Sequence, residues 1–141
     1  MGNLVLQNLA DNEPVYEILN GRIVLMPAPT TNHISVAGNI YRIFANYLWN
    51  KRCRVFPDGM ELHLESLENK EYWIVSSQEK SIEVYLLKDN KYKLDNVYLI
   101  YPDFMVEKMD DEEKSEIIKE FKTSLFDDLT ISVEDVFYNI D

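Results

Sequence analysis

The fold is decided by the stretch Glu71-Tyr72-Trp73-Ile74-Val75 and, after the polar residues 76–80, Ser81-Ile82-Glu83-Val84-Tyr85-Leu86-Leu87. In the second run, apolar residues alternate with polar or amphipathic ones, which is the period of a β-strand with one buried face. The polar residues between the two runs are typical of a turn. A further strand is predicted from residue 92 towards residue 98. The stretch therefore predicts an antiparallel hairpin extended by a third strand.

A second hairpin and a long helix are predicted nearer the N-terminus. Asn20-Gly21 stands between the apolar runs 16–19 and 23–26, and this dipeptide readily adopts the positive φ angles that a two-residue type I′ turn requires. The helix that follows is capped by Thr31 or Asn32 and continues to about residue 49. Its predicted buried stripe has members at three- and four-residue spacing, namely Ala37, Ile40, Tyr41, Phe44, Tyr47 and Leu48.

The remaining elements are shorter. Two strands are predicted at residues 54–56 and 60–64, a helix capped by Asp110 and reaching towards Lys119 and Lys122, and a last short helix capped by Ser132. Together the elements predict an α+β fold, in which a mixed, mostly antiparallel β-sheet packs on one long helix. At 141 residues the chain fits a single domain spanning residues 1–141.

Composition limits the classes of protein to which the chain can belong. The 46% hydrophobic content is that of a globular protein and not of a disordered one. We expect no membrane partner, because no apolar run approaches the roughly 18–20 residues needed to cross a bilayer. The single cysteine, Cys53, cannot form an internal disulfide, and we therefore expect a cytoplasmic protein.

The net charge of −11 is unevenly distributed along the chain. Residues 103–141 hold 13 acidic and 4 basic residues, a balance of −9. This acidic region repels phosphate backbones, and it predicts either a solvated surface or a face that docks a protein partner. The basic residues concentrate elsewhere, beside Tyr47 and Trp49, at Arg42, Lys51, Arg52 and Arg54. Cations beside aromatic rings are typical of nucleic-acid binding, although an ionic match to the acidic region explains them equally simply.

Three blocks of the chain resemble, in order, the Uma-type restriction endonuclease family, a branch of the PD-(D/E)XK nuclease superfamily. The blocks are the first hairpin with the helix opened by His33, the Glu71-Tyr72-Trp73-Ile74-Val75 strand, and Leu125-Phe126-Asp127-Asp128-Leu129-Thr130-Ile131 leading to Asp135-Val136-Phe137. The resemblance implies a restriction-endonuclease-like fold. In the family, carboxylates on neighbouring strands hold Mg²⁺, which polarises a phosphodiester and generates hydroxide from water.

The chain departs from the family pattern where the catalytic residues are expected. In the family, a Pro-Asp strand, a strand with the catalytic Glu and a helix precede the Glu-Tyr-Trp-Ile-Val strand, whereas here only residues 65–70 separate the predicted strand 60–64 from Glu71. Six residues cannot form two strands and a helix. The resemblance therefore implies a reduced, catalytically inactive protein that acts as a binding or regulatory scaffold and needs no cofactor.

Two alternatives stay open. The first is an Mg²⁺-dependent endonuclease in which two chains pool Glu17, His33 and Glu61, although Glu17 also suits an edge charge and His33 a helix-start hydrogen bond. The second is an acidic mimic of nucleic acid that inhibits a nucleic-acid-binding protein. We expect a homodimer under every one of these interpretations. Loss of central strands would expose the apolar side chains of Trp73, Ile74 and Val75, and a second copy would bury them.

Overall fold

A computed structural model describes residues 16–19, 21–25, 29–57 and 71–141, and the chain divides into two units at residues 31 and 32. In the first unit, β1 (Tyr16–Leu19) pairs antiparallel with β2 (Arg22–Leu25). Gly21 lies between the strands with a φ of +76°, a conformation that glycine adopts without steric cost. The hairpin predicted from Asn20-Gly21 is therefore confirmed, and the single-domain organisation stays a prediction.

The long helix α1 spans Thr31–Tyr47 and presents its stripe slightly out of the predicted phase. Ala37 and Tyr41, both predicted to be buried, are exposed. The stripe passes instead through the buried Val36 and through partly buried residues that pack on the core, Ile40, Ile43, Phe44 and Tyr47. The periodicity thus located the helix correctly but misplaced one edge of its buried face.

The central sheet consists of β3 (Glu71–Ser76), β4 (Ser81–Lys88) and β5 (Lys91–Leu99), in that order and antiparallel throughout. All three strands were predicted. Ile82 and Val84 of β4 are buried, while Tyr72 and Ile74 of β3 are exposed, so the sheet has one inner and one open face. A register shift in the pairing with β5 falls between Val84 and Tyr85.

The C-terminal part adds α2 (Asp103–Val106), α3 (Asp111–Ser115), β6 (Glu120–Lys122), β7 (Thr130–Ser132) and α4 (Val133–Val136). Two of the predicted caps are confirmed: Asp110 and Glu113 form a capping box, and the Ser132 hydroxyl accepts a hydrogen bond from the Asp135 amide. The cap predicted at Thr31 or Asn32 is misplaced, because α1 already begins at Thr31. The helix predicted to reach Lys119 and Lys122 ends earlier, because residues 120–122 pair with β7 and Phe121 enters the core.

One predicted strand is wrong. Residues 54–56 have irregular backbone, and Arg54 and Phe56 are both exposed. A strand without a partner leaves its backbone polar groups to water and has nothing to stabilise its extended form. The other strand of that prediction, residues 60–64, lies outside the described residues.

The core of the second unit lies on the inner face of the central sheet. A row of aromatic contacts connects its elements: Phe44 of α1 contacts Trp73 of β3 at 5.8 Å between ring centroids, and Trp73 contacts Phe121 of β6 at 5.3 Å. Phe121 then stacks on Tyr98 of β5 at 4.0 Å with 8° between the ring planes. The α+β class is therefore confirmed, with one long helix and antiparallel pairing in every described sheet.

The C-terminal segment is held against α1 and the central sheet by side-chain hydrogen bonds. The Asn39 amide nitrogen donates to the carbonyls of Val136 at 3.1 Å and Tyr138 at 2.9 Å. The Lys80 ammonium donates to the Ile140 carbonyl at 3.3 Å. No helix among the described residues is both long and apolar enough to cross a bilayer.

Replacing Ile82 by Ala should destabilise the protein by about 2–5 kcal/mol, because it removes buried methyl groups and leaves a cavity in a close-packed core. Ile82 is 0% exposed. Urea unfolding followed by circular dichroism measures the loss. The matched control is Ile34→Ala at a helix position that is 53% exposed, where we expect a change within about 0.5 kcal/mol. Equal effects of the two variants would contradict the assigned core.

Candidate functional site

A surface cleft of about 400 Å³ lies beyond the C-terminal end of α1. Its walls include Tyr41 from the helix and Trp49, Lys51, Cys53 and Arg54 from the segment after it. We refer to these five residues as the terminal cleft. A bend in the chain after α1 forms it and brings residues 53 and 54 beside the helix.

Asn50 allows the chain to bend after α1. Asn50 has a φ of +60°, in the left-handed region that asparagine tolerates better than most residues. The Leu48 amide still donates to the Phe44 carbonyl at 2.8 Å, and the Lys51 amide donates to the Leu48 carbonyl at 2.9 Å. The backbone around Asn50 is therefore hydrogen-bonded on both sides of the bend.

The terminal cleft lies in the most cationic part of the chain. Residues 29–57 contain four Lys or Arg residues and no Asp or Glu, which gives a formal charge of +4 in a protein whose total is −11. Trp49 is 78% exposed, so its indole is presented to solvent within this cationic segment. An exposed ring among cations is able to stack on an unpaired base.

The four predicted nucleic-acid-binding residues occupy one region. Lys51 and Arg54 line the terminal cleft. Arg42 follows the cleft residue Tyr41 on α1, and Arg52 lies between two cleft residues; both side chains are exposed. The structure therefore places all four cations in or next to the cleft, and their predicted role stays a prediction.

Contacts of Tyr47, in the last turn of α1, connect the cleft residue Lys51 to the C-terminal part of the chain. The Tyr47 hydroxyl donates to the Asp128 carboxylate, and the Lys51 ammonium lies over the Tyr47 ring at 3.2 Å from its centroid. The Tyr47 hydrogen bond, aided by the charges of Lys51 and Lys122, holds the pKa of the Asp128 carboxyl below its ordinary value. Tyr47 thus positions both a cation and an anion.

Glu71, the first residue of β3, positions Ser124 and Trp73 through its carboxylate. One carboxylate oxygen accepts from the Ser124 amide at 2.7 Å and the Ser124 hydroxyl at 2.6 Å, and the other accepts from the Trp73 indole nitrogen at 2.5 Å. These charge-assisted bonds tie the loop after β6 to the edge of β3. They also fix the Trp73 ring, which contacts Phe44 and Phe121.

The residues predicted for catalysis fall in different parts of the chain. Glu17 lies in β1 opposite Val24, in the first unit. His33 is exposed near the start of α1, in the second unit. Glu61 lies outside the described residues. Among the described residues, no three or more His, Cys, Asp or Glu side chains form a group able to hold a metal ion.

The predicted acidic region is confirmed as a surface feature. All 13 acidic residues between positions 103 and 141 have exposed side chains. The predicted docking of a protein partner on this surface, and its likeness to nucleic acid, stay predictions.

Sequence reasoning missed two contributors to the site, Tyr41 and Asp128. Tyr41 was assigned to the buried stripe but lines the terminal cleft. Asp128 reaches Tyr47 across 81 positions of sequence. The one available signal was the absence of acidic residues from 29–57, which isolates the cations there.

Comparison with known proteins gives no match to any family model, curated protein or solved structure. The Uma-type resemblance therefore stays a prediction. The function has to be argued from the site itself.

Replacing Glu71 by Gln should destabilise the protein by about 1–3 kcal/mol, because a carboxylate that accepts three hydrogen bonds loses its charge and one acceptor. Chemical unfolding monitored through Trp73 fluorescence measures the change. Glu79→Gln, at an exposed turn position, is the control and should change stability by less than about 0.5 kcal/mol. If E71Q leaves the free energy of unfolding unchanged, other contacts hold the loop after β6.

Replacing Tyr47 by Phe should raise the pKa of Asp128 towards its ordinary value, since the hydrogen bond that lowers it is lost. A lowered folded pKa stabilises the folded chain above the ordinary Asp pKa, and this stabilisation disappears as pH falls through the lowered value. The part of the stability difference between wild type and Y47F that comes from Asp128 should therefore disappear at pH values below the lowered pKa of Asp128. Carboxyl ¹³C NMR titration measures the pKa, with Tyr41→Phe as control. An ordinary Asp128 pKa in the wild type would contradict the assignment.

Proposed function

We propose that this protein is a restriction-endonuclease-like scaffold that binds single-stranded nucleic acid at the terminal cleft without cutting it. The observation that carries the proposal is the +4, acid-free surface of residues 29–57, from which the Trp49 indole projects. The proposal combines two parts, binding and the lack of cleavage, and each part has its own support.

The cations support binding to phosphates. Arg54 and Lys51 lie on the walls of the cleft, with Arg42 and Arg52 exposed beside them. Guanidinium groups bind phosphate oxygens in a bidentate manner, and each phosphate contact releases condensed counterions. The Lys51 ammonium is already placed over the Tyr47 ring, so less side-chain entropy is lost when it binds.

The aromatic side chains support a preference for single strands. Trp49 and Tyr41 are both exposed and both line the cleft. Stacking on such rings requires bases that are free of a duplex, and it is insensitive to sequence because every base has a π-face. A cleft with cations and stacking rings therefore suits an unpaired strand better than a duplex.

The inner face of the central sheet supports the lack of cleavage. A hydrolytic metal centre needs carboxylates on neighbouring strands that point to one place. In the described strands, the inner positions are occupied mainly by apolar residues such as Trp73, Val75 and Ile82, and the Glu71 carboxylate accepts bonds from Ser124 and Trp73. These positions serve the packing of the core.

Titration with oligothymidylate, which has little secondary structure, tests the binding. We expect quenching of Trp49 fluorescence and a slope of log K against log salt of about −3, since each of four phosphate contacts contributes about −0.7. Trp49→Ala should weaken binding by about 5- to 100-fold through lost stacking. Arg54→Ala should weaken binding and reduce the steepness of the salt slope by about 0.7.

Matched controls distinguish the cleft from general surface effects. Tyr138→Ala removes another exposed aromatic and Lys88→Ala another exposed cation, and both should leave affinity unchanged. Bound oligonucleotide should also slow alkylation of Cys53, the only thiol of the chain, which lies in the cleft. Equal affinity of wild type, W49A and R54A would contradict the binding site. Cutting of the oligonucleotide in Mg²⁺ would contradict only the lack of cleavage and would favour the endonuclease alternative.

A further inference from the structure

The open face of the central sheet carries exposed apolar side chains on both of its outer strands. It carries the exposed side chains of Tyr72 and Ile74 from β3 and of Tyr92, Leu94 and Val97 from β5. We refer to these five residues as the open sheet face. Their exposure ranges from 38% for Val97 to 55% for Tyr72, whereas the opposite side of the sheet contributes Ile82 and Val84 to the core.

The five residues form one continuous patch. Tyr72 pairs with Tyr85, which pairs with Leu94, and Ile74 pairs with Glu83, which pairs with Val97. Directly paired residues of an antiparallel sheet lie on the same face. The Tyr72 and Tyr92 rings, from strands that are not neighbours, approach to 5.9 Å between centroids. The patch therefore crosses the whole width of the sheet.

We propose that the open sheet face is a self-association surface, which packs against the same face of a second copy to form a face-to-face homodimer. The inference is independent of nucleic-acid binding. Two sheets packed in this way are separated by about 10 Å, with side chains of both faces interdigitated.

The area of the patch suits a second copy. A fully exposed aromatic or aliphatic side chain of this kind presents about 150–250 Å², so the five residues leave roughly 500 Å² of surface on each copy. Two copies would bury roughly 1,000 Å², which is the lower limit for a specific interface between proteins. An apolar patch of this size is comparable with the largest patch of a typical monomer, which often has a function.

The lysines at the β4–β5 turn end belong to the other side of the sheet. Lys88 pairs with Lys91, and Lys93 pairs with Leu86, which packs against the core. Because paired residues share a face and successive residues alternate, these three lysines lie outside the open sheet face. Apolar packing therefore has to hold the two copies together.

The one charge within the patch has a partner of its own. Glu83 is partly buried, and its carboxylate accepts a hydrogen bond from the Tyr85 hydroxyl at 2.8 Å. The lack of a cation inside the patch argues against a nucleic-acid strand as its occupant. A second copy supplies an apolar surface of the same area.

Analytical ultracentrifugation of the full chain tests the proposal. We expect a concentration-dependent dimer of the wild type. Ile74→Lys and Leu94→Lys each place an ammonium in the centre of the patch, and each should weaken dimerisation by at least about 100-fold. Ile34→Lys changes an equally exposed isoleucine on α1 and should leave the dimer unchanged. Circular dichroism melting of each variant confirms that it is folded.

Two further measurements keep the test decisive. Tyrosine oxidation of the wild type, which needs no variant, should decrease at Tyr72 and Tyr92 as concentration rises, while Tyr138 is unaffected. Lys91→Glu changes a charge on the other side of the sheet and should leave the dimer unchanged. A wild type that remains monomeric at high concentration, a dimer that persists in folded I74K and L94K, or unchanged oxidation of Tyr72 and Tyr92 would each overturn the proposal.

Discussion

The row of rings from Phe44 through Trp73 and Phe121 to Tyr98 joins the long helix, the central sheet and the small C-terminal sheet. Each ring comes from a different element, so these elements share one packed layer. Trp73 is the member on which the others depend, because its indole nitrogen donates to Glu71, whose second oxygen holds Ser124. The same loop carries Asp128 to Tyr47, and the packing of Trp73 is therefore linked to the last turn of α1, which precedes the terminal cleft.

Features controlled by neighbouring residues could be predicted from the sequence. The Asn20-Gly21 turn, the Asp110 capping box, the Ser132 cap and the strands of the central sheet depend on side chains a few positions apart. The predictions that failed concern segments whose structure depends on residues far away in the sequence. Residues 120–122 become a strand only because 130–132 pairs with them, and residues 54–56 have no strand beside them among the described residues. The side of α1 that is buried is likewise decided by the sheet and by Val136.

The candidate site was predictable in the part that depends on residues close together in the sequence. Arg42, Lys51, Arg52 and Arg54 are close in sequence, so their concentration was visible, as was their proximity to Trp49. Their arrangement as a cleft required the left-handed Asn50 and the exposed side of α1 that carries Tyr41. The contribution of Asp128 required the complete fold. The three residues predicted for catalysis depend on long-range geometry in the same way.

The closure of the core by residues 129–140 has a consequence for biosynthesis. Val36 packs with Val136, Phe137 and Ile140 in one cluster, and Asn39 bonds to carbonyls about a hundred positions later. During translation the β3–β5 meander can form from local contacts, but the inner surface of α1 stays uncovered until residues 129–140 leave the ribosome. The nascent chain therefore exposes the apolar side of α1 while the intervening residues are synthesised.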